Sequence, residues 1–163
     1  MSRTLAGMSI PLFFREESFL QPMEVTLPDD IRVVTQKFYD VRMEDIRDIF
    51  DESFQTLAGC GPIGPGYGLY EGDPHDVFDI TLGFPVAAPT DVEGVDNGVF
   101  PSGRALIMSH VGAYEGISSA WESLFEVHEV NGGGDPRGVI EIYVNDPSVT
   151  EPEDLRTDLI ILY

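Results

Sequence analysis

Cysteine is nearly absent from this 163-residue chain, and so is lysine: Cys60 and Lys37 each stand alone. A single thiol can neither close an internal disulfide nor supply a CxxC zinc pair, which points to a reducing compartment, the cytoplasm. Basic residues are few altogether, nine Lys plus Arg against 29 Asp plus Glu, for a formal net charge of −20. Phosphate backbones and anionic leaflets repel so acidic a chain, which argues against direct nucleic-acid binding and against membrane attachment. Long apolar runs are missing too. The stretch 5–14 contains Gly7 and Pro11, stops at Arg15-Glu16-Glu17 and lacks a small-residue cleavage site, so it reads as neither a membrane span nor a signal peptide. An acid-rich, lysine-poor surface suits a salt-rich cell, where screening removes self-repulsion; such a source predicts a melting temperature that rises with salt.

What is present fits one domain with a real core: 42% of residues are hydrophobic and 10% aromatic. Residues 1–27 hold scattered apolar groups without a steady period, and Pro22 and Pro28 break any element there, so this part reads as an extension leading into a domain over 28–163. The β-branched and aromatic run Ile31 to Tyr39 predicts a strand, with Asp40 as the cap of the next element. Met43, Ile46, Ile49, Phe50, Phe54 and Leu57 recur at helical spacing opposite an acidic face, which predicts an amphipathic helix ended by Gly59 and Gly61. Two strands come next, over Gly66 to Glu71 and Val77 to Ala87, and Pro89 to Gly98 reads as a linker. The same order then returns: strand Arg104 to Val111, helix Tyr114 to Val130, a Gly132-Gly133-Gly134 break, strand Gly138 to Asn145, strand Arg156 to Tyr163.

The chain is thus a strand-helix-strand-strand module written twice, over about 30–88 and 99–163. Leu69-Tyr70-Glu71-Gly72-Asp73-Pro74 echoes Ile142-Tyr143-Val144-Asn145-Asp146-Pro147 at a constant offset of 73. Two such units joined edge to edge predict an α+β fold: one curved antiparallel sheet, both helices on one face and a free groove on the other.

Period-two alternation places Ile140, Ile142 and Val144 on one side of their strand and Val139, Glu141 and Tyr143 on the other. The aliphatic side is expected to meet the helices, so Glu141 projects onto the helix-free face, where desolvation should raise its pKa unless a partner offsets it. It is then either a cation receptor, a solvated strand residue, or the partner of an arginine such as Arg104. Tyr67 and Tyr70 lie on the echoing strand, and Tyr70 matches Tyr143. They offer a cation π faces and hydroxyls, or they simply express β-propensity. Trp121 falls on an apolar helical stripe, a core position first and a pocket wall second. Gly59-Cys60-Gly61-Pro62-Ile63-Gly64 matches G-x-G-x-x-G in letters only, since it comes after a helix and its prolines prevent another from starting. His75, His110 and His128 lack metal-ligand spacing, no EF-hand pattern occurs, and Ser102, Ser109, Ser118 and Ser119 read as ordinary. Neither a metal nor a cofactor is implied.

The run Phe100-Pro101-Ser102-Gly103-Arg104-Ala105, then Ser109-His110-Val111-Gly112-Ala113-Tyr114, Trp121, Gly138-Val139-Ile140-Glu141-Ile142-Tyr143-Val144-Asn145-Asp146-Pro147 and Leu155-Arg156-Thr157-Asp158-Leu159 resembles the GyrI-like family. That family includes the effector-binding domains of multidrug-responsive transcription activators. The resemblance runs from about Asp30 to Tyr163. It implies binding of lipophilic, often cationic, small molecules in a groove between the two modules, with a glutamate, here Glu141, contacting the cation. Tyr143, Tyr70, Tyr67 and Trp121 are the aromatic residues the resemblance places around it. No helix-turn-helix or basic stretch accompanies the domain, which therefore reads as stand-alone. Stand-alone relatives also include gyrase-inhibiting proteins that protect against toxins, and proteins that look like hydrolases opening strained cyclopropane rings. The alternatives are thus a hydrolase with Glu141 as its catalytic base and a tyrosine as donor, or a protein-interaction role.

Overall fold

Val, Ile, Phe and Tyr at alternate positions form the strands, and the apolar stripes at helical spacing form the helices. The computed structural model describes residues 5–9 (backbone), 19–72, 76–145 and 149–163. Strands β1 (Leu5–Ser9) and β2 (Met23–Leu27) come first. The first repeat is β3 (Arg32–Val41), α1 (Ile46–Ala58), β4 (Gly66–Gly72) and β5 (Phe78–Pro85), followed by β6 (Asp96–Val99). The second is β7 (Gly103–Val111), α2 (Ile117–Val130), β8 (Gly138–Tyr143) and β9 (Arg156–Leu162). A single 3-10 turn leads into each helix, Met43–Asp45 or Tyr114–Gly116. All the strands join one sheet in the order β1-β2-β7-β9-β8-β4-β5-β3-β6. Every neighbouring pair is antiparallel except β1 with β2. The fold is the α+β architecture with two helices on one face of a curved sheet.

Several details differ from the sequence reading. The segment before Asp30 is not free of structure: β2 fits between Pro22 and Pro28 and pairs with β7 from Met23↔Ile107 to Leu27↔Gly103. Proline bars a ladder bond only at its own position, and burial of Val25 and Leu27 holds the strand in place. The expected linker ends in β6, which pairs with β3 from Arg32↔Val99 to Thr35↔Asp96. Asp40 does not cap a helix; it takes a left-handed φ of 52° at an irregularity between Phe38 and Val41, a conformation Asp tolerates. Ile10, Leu12, Phe13 and Phe14, the expected turn residues Asp73, Pro74, Asp146 and Pro147, and also His75, lie outside the described residues.

Chain connectivity shows how far the sheet curls. β6 and β7 stand six strand spacings apart, about 29 Å in a flat sheet. Only residues 100–102 connect them, a reach of about 14 Å at most. The link from β2 to β3 makes the same demand. The sheet therefore rolls until its two halves approach, and the concave face seals a core of Val25, Leu27, Val33, Tyr67, Phe100, Ile107, Ile140, Ile142 and Ile160. Tyr67 reaches across this core because Gly83 beneath its ring has no side chain; a Cβ there would lie 2.9 Å from the ring.

This roll corrects one expectation. Alternation along β8 is as read, but Ile140 and Ile142 face the concave core and Glu141 faces the helices. Ile140 and Ile142, both 0% exposed, join the core inside the roll. On the outside, α1 rests over β3 and β5 and α2 over β7 and β9, which leaves the central pair β4 and β8 uncovered between them. The groove lies on the helix-bearing face, not opposite it.

Candidate functional site

β4 and β8 pair antiparallel from Gly66↔Tyr143 to Tyr70↔Val139, with Gly68 directly opposite Glu141. Cross-strand partners share a face, so Gly66, Gly68, Tyr70, Val139, Glu141 and Tyr143 all point outward between the helices. The two tyrosines flank Glu141 fore and aft, and their hydroxyls lean back over Gly68. A Cβ on Gly68 would lie 3.3 Å from the Tyr70 ring and 3.4 Å from the Tyr143 hydroxyl, so the missing side chain is what lets them close.

The hydroxyls meet the carboxylate and each other. Tyr143 Oη donates to Glu141 Oε1 at 2.8 Å, Tyr70 Oη lies 3.2 Å from the same oxygen, and the two hydroxyls are 3.0 Å apart. Three contacts share two protons, and the shortest path through them is a relay in which Tyr70 donates to Tyr143 and Tyr143 to Glu141. Trp121, from α2, donates its indole N–H to Oε2 at 2.8 Å. Burial first, and the neighbouring Glu141 charge second, push both tyrosine hydroxyls well above the usual tyrosine range. They stay protonated, as donors, at any physiological pH.

Around this trio opens a cleft of about 2120 Å³ between α1 and α2, with Phe50, Phe54 and Phe84 on one side and Trp121 and Phe125 on the other. Phe50 stands edge-on to Tyr143 at 5.6 Å and Phe54 to Phe84 at 5.2 Å. Among the described residues, the charged groups lining it are Asp51, Glu71, Glu122, Asp135 and Glu141 against Arg137 alone. Arg137 itself is turned to the carbonyls of Ser102 and Tyr163. Carboxylates on an apolar, aromatic surface give the cleft a negative field with π faces around it.

Of the residues singled out in the sequence, the structure brings together Glu141, Tyr143, Tyr70 and Trp121. Tyr67 is not among them. It sits on the opposite face of β4, 1% exposed, with Phe100 edge-on at 4.7 Å. Arg104 does not pair with Glu141 either; it reaches Glu24 at 3.6 Å and lies over the Tyr163 ring. Phe50, Phe54 and Phe125 are wall residues that the sequence reading did not single out for the site. Their signal was their place in the repeat, since Phe50 and Trp121 occupy the same turn of the two helices. Ser109 is not ordinary: its hydroxyl donates to the buried Asp158 at 2.7 Å and accepts the Phe19 N–H at 2.9 Å. Arg156 completes this buried network with two bonds to Asp158, at 3.0 and 3.1 Å.

Among the described residues, no group of three or more His, Cys, Asp and Glu is arranged to hold a metal ion. His110 and His128 each bond a backbone carbonyl, of Ala113 and Gly134. No described helix is long and apolar enough to cross a membrane.

Similar folds occur in solved structures. The EcmrR C-terminal domain matches with a TM-score of 0.71 at 18% identity, over 87% of this chain and 96% of that one. SAV2435, solved bound to tetraphenylphosphonium, matches at 0.66 and 12% identity, over 86% and 92%. A hydrolase from Listeria innocua matches at 0.58 and 16% identity, over 90% and 93%. At these identities the likeness is one of fold. No curated protein matches the chain in sequence. The family model for the GyrI-like small molecule binding domain does match, over residues 28–163, and the chain belongs to that family.

Proposed function

We propose that the cleft takes up lipophilic cations, with Glu141 as counter-ion and Tyr70, Tyr143 and Trp121 holding it in place. The observation that carries this reading is the Glu141 carboxylate, held by the Tyr143 hydroxyl and the Trp121 indole, with Tyr70 behind Tyr143, on the floor of an aromatic, acid-lined cleft. Neutral donors make the carboxylate's burial tolerable but leave its charge unbalanced, and a bound cation supplies the balance. Because Tyr143 and Trp121 already occupy lone pairs on both oxygens, a cation without N–H groups binds by proximity and stacking and displaces no donor. Delocalised or quaternary cations fit better than primary amines, which must compete for the same lone pairs. The tetraphenylphosphonium bound by the SAV2435 protein is of this chemical kind.

A second reading uses the same residues: hydrolysis of a reactive electrophile such as a cyclopropane, with Glu141 as base. The similarity to a structure described as a hydrolase favours testing it. Both are separated by titrating Trp121 fluorescence with lipophilic cations, their neutral analogues and a cyclopropane-bearing electrophile, and then weighing the recovered ligand by mass spectrometry. Saturable cation binding with unchanged ligand supports the receptor. Repeated recovery of ligand with one water added makes the protein a hydrolase and binding its first step.

A further inference from the structure

The cleft floor carries a near two-fold axis. Tyr70 and Tyr143 are 73 positions apart, and so are Gly68 and Glu141, which are also direct cross-strand partners. In an antiparallel pair, a residue that faces its own repeat equivalent marks the axis relating the repeats. The walls obey the same relation. Ile46 and Ile117, Phe50 and Trp121, and Phe54 and Phe125 are each 71 positions apart, and all six line the one cleft from α1 and α2. Ring spacing is similar as well, 5.4 Å for Phe50 with Phe54 and 5.9 Å for Trp121 with Phe125, while the ring planes meet at 73° in the first pair and 38° in the second. Charge alone breaks the symmetry at the axis: a carboxylate in one repeat, a bare glycine in the other.

We propose that the cleft selects monocations with two aromatic arms, the charge seated at the axis over Glu141 and one arm against each helix. This rests on the cation-receptor reading and adds the ligand's shape. A single carboxylate stands at the axis, and the other acids of the cleft are either exposed to solvent, as Asp51, Glu122 and Asp135 are, or paired with Lys37, as Glu71 is, so one ligand charge is held at the axis and a second meets only screened partners. Two matched aromatic walls reward two arms, whereas a one-armed cation covers one wall and leaves the other to water. Gly68 sets the arrangement, because any side chain there would push the tyrosines away from the axis.

Two isomeric quaternary ammonium ions provide the test. Dibenzyldimethylammonium carries its rings on two arms, and (para-phenylbenzyl)trimethylammonium carries the same atoms with both rings on one arm. Isothermal titration should give the two-armed ion about tenfold tighter binding, the size of one additional aromatic contact. Phe54→Ala and Phe125→Ala should each remove most of that advantage. Each should weaken the one-armed ion by no more than about twofold, because it can move to the intact wall and loses only a statistical factor. Phe54→Leu and Phe125→Leu, which keep bulk but remove the π face, serve where an alanine variant fails to fold. Equal affinity of the isomers, or loss confined to one of the two walls, overturns the two-armed proposal and leaves the receptor reading standing. Binding of neither ion, nor of any other lipophilic cation, overturns both.

Discussion

The two faces of strand β8 are built from neighbouring residues and do opposite work. Ile140 and Ile142 point into the roll of the sheet and are fully buried among aliphatic and aromatic side chains. Glu141 and Tyr143, one position along, point into an open cleft and spend their hydrogen bonds on each other and on Tyr70 and Trp121. Along β8 the concave side is where folding energy is gained by excluding water. The convex face keeps a polar trio that contributes less to stability and is left available for binding. One strand can serve both because alternation separates the faces completely.

Substitutions on the concave face should therefore cost the most. Ile142 pairs with Asp158, already buried in its ion pair with Arg156, so Ile142→Asp adds an unpaired carboxylate beside a buried one. The expected result is loss of cooperative unfolding and of soluble folded protein, read by circular dichroism. Tyr67→Ala should cost about 3–5 kcal/mol in chemical denaturation, as for other large aromatic residues removed from a core. On the convex face, Tyr143→Phe removes the donor nearest Glu141 and should cost about 1 kcal/mol, with Tyr70→Phe costing less because its proton is passed through Tyr143. At the surface, Lys37 and Glu71 pair at 3.4 Å with side chains 35% and 40% exposed, and Lys37→Ala should change stability by less than about 1 kcal/mol, less still in high salt.

Alkaline pH probes both faces at once. Burial raises the pKa of Tyr67, Tyr70 and Tyr143 above the unfolded value of about 10. Below that pH both states hold these protons and stability is unaffected by them. Above it the unfolded chain releases protons that the folded chain keeps, so stability should fall progressively toward the raised folded values. Melting curves through this range should show the decline, and Tyr67→Phe should make it shallower.

Much of the fold was legible because its signals are local. Alternation and helical spacing marked the strands and helices of both repeats, and the echo of Tyr70 in Tyr143 marked the duplication. Glu141 stood out as a lone carboxylate within an apolar strand. What was not legible depends on the roll of the sheet, a property of the whole chain. Which face of β8 met the helices could not be read from Ile140 and Ile142, because both faces are covered in part and an aliphatic row suits either core. Tyr67 and Tyr70 could have been told apart, because their odd separation along β4 puts them on opposite faces by the same alternation that holds for β8. β2 was hidden by its flanking prolines, and its stability comes from Ala105 and Ile107 of a distant strand.

The central claim is that Glu141 acts as a counter-ion in a cleft whose walls bind any lipophilic ligand of the right shape. Isothermal titration of the wild type and Glu141→Gln with a lipophilic cation and its uncharged isostere tests it most directly. The substitution keeps the side chain's shape and should lower cation affinity by about 2 kcal/mol or more, at least thirtyfold, while leaving the neutral ligand within about twofold. Equal cation affinity in the two proteins would contradict the account and place the binding energy elsewhere.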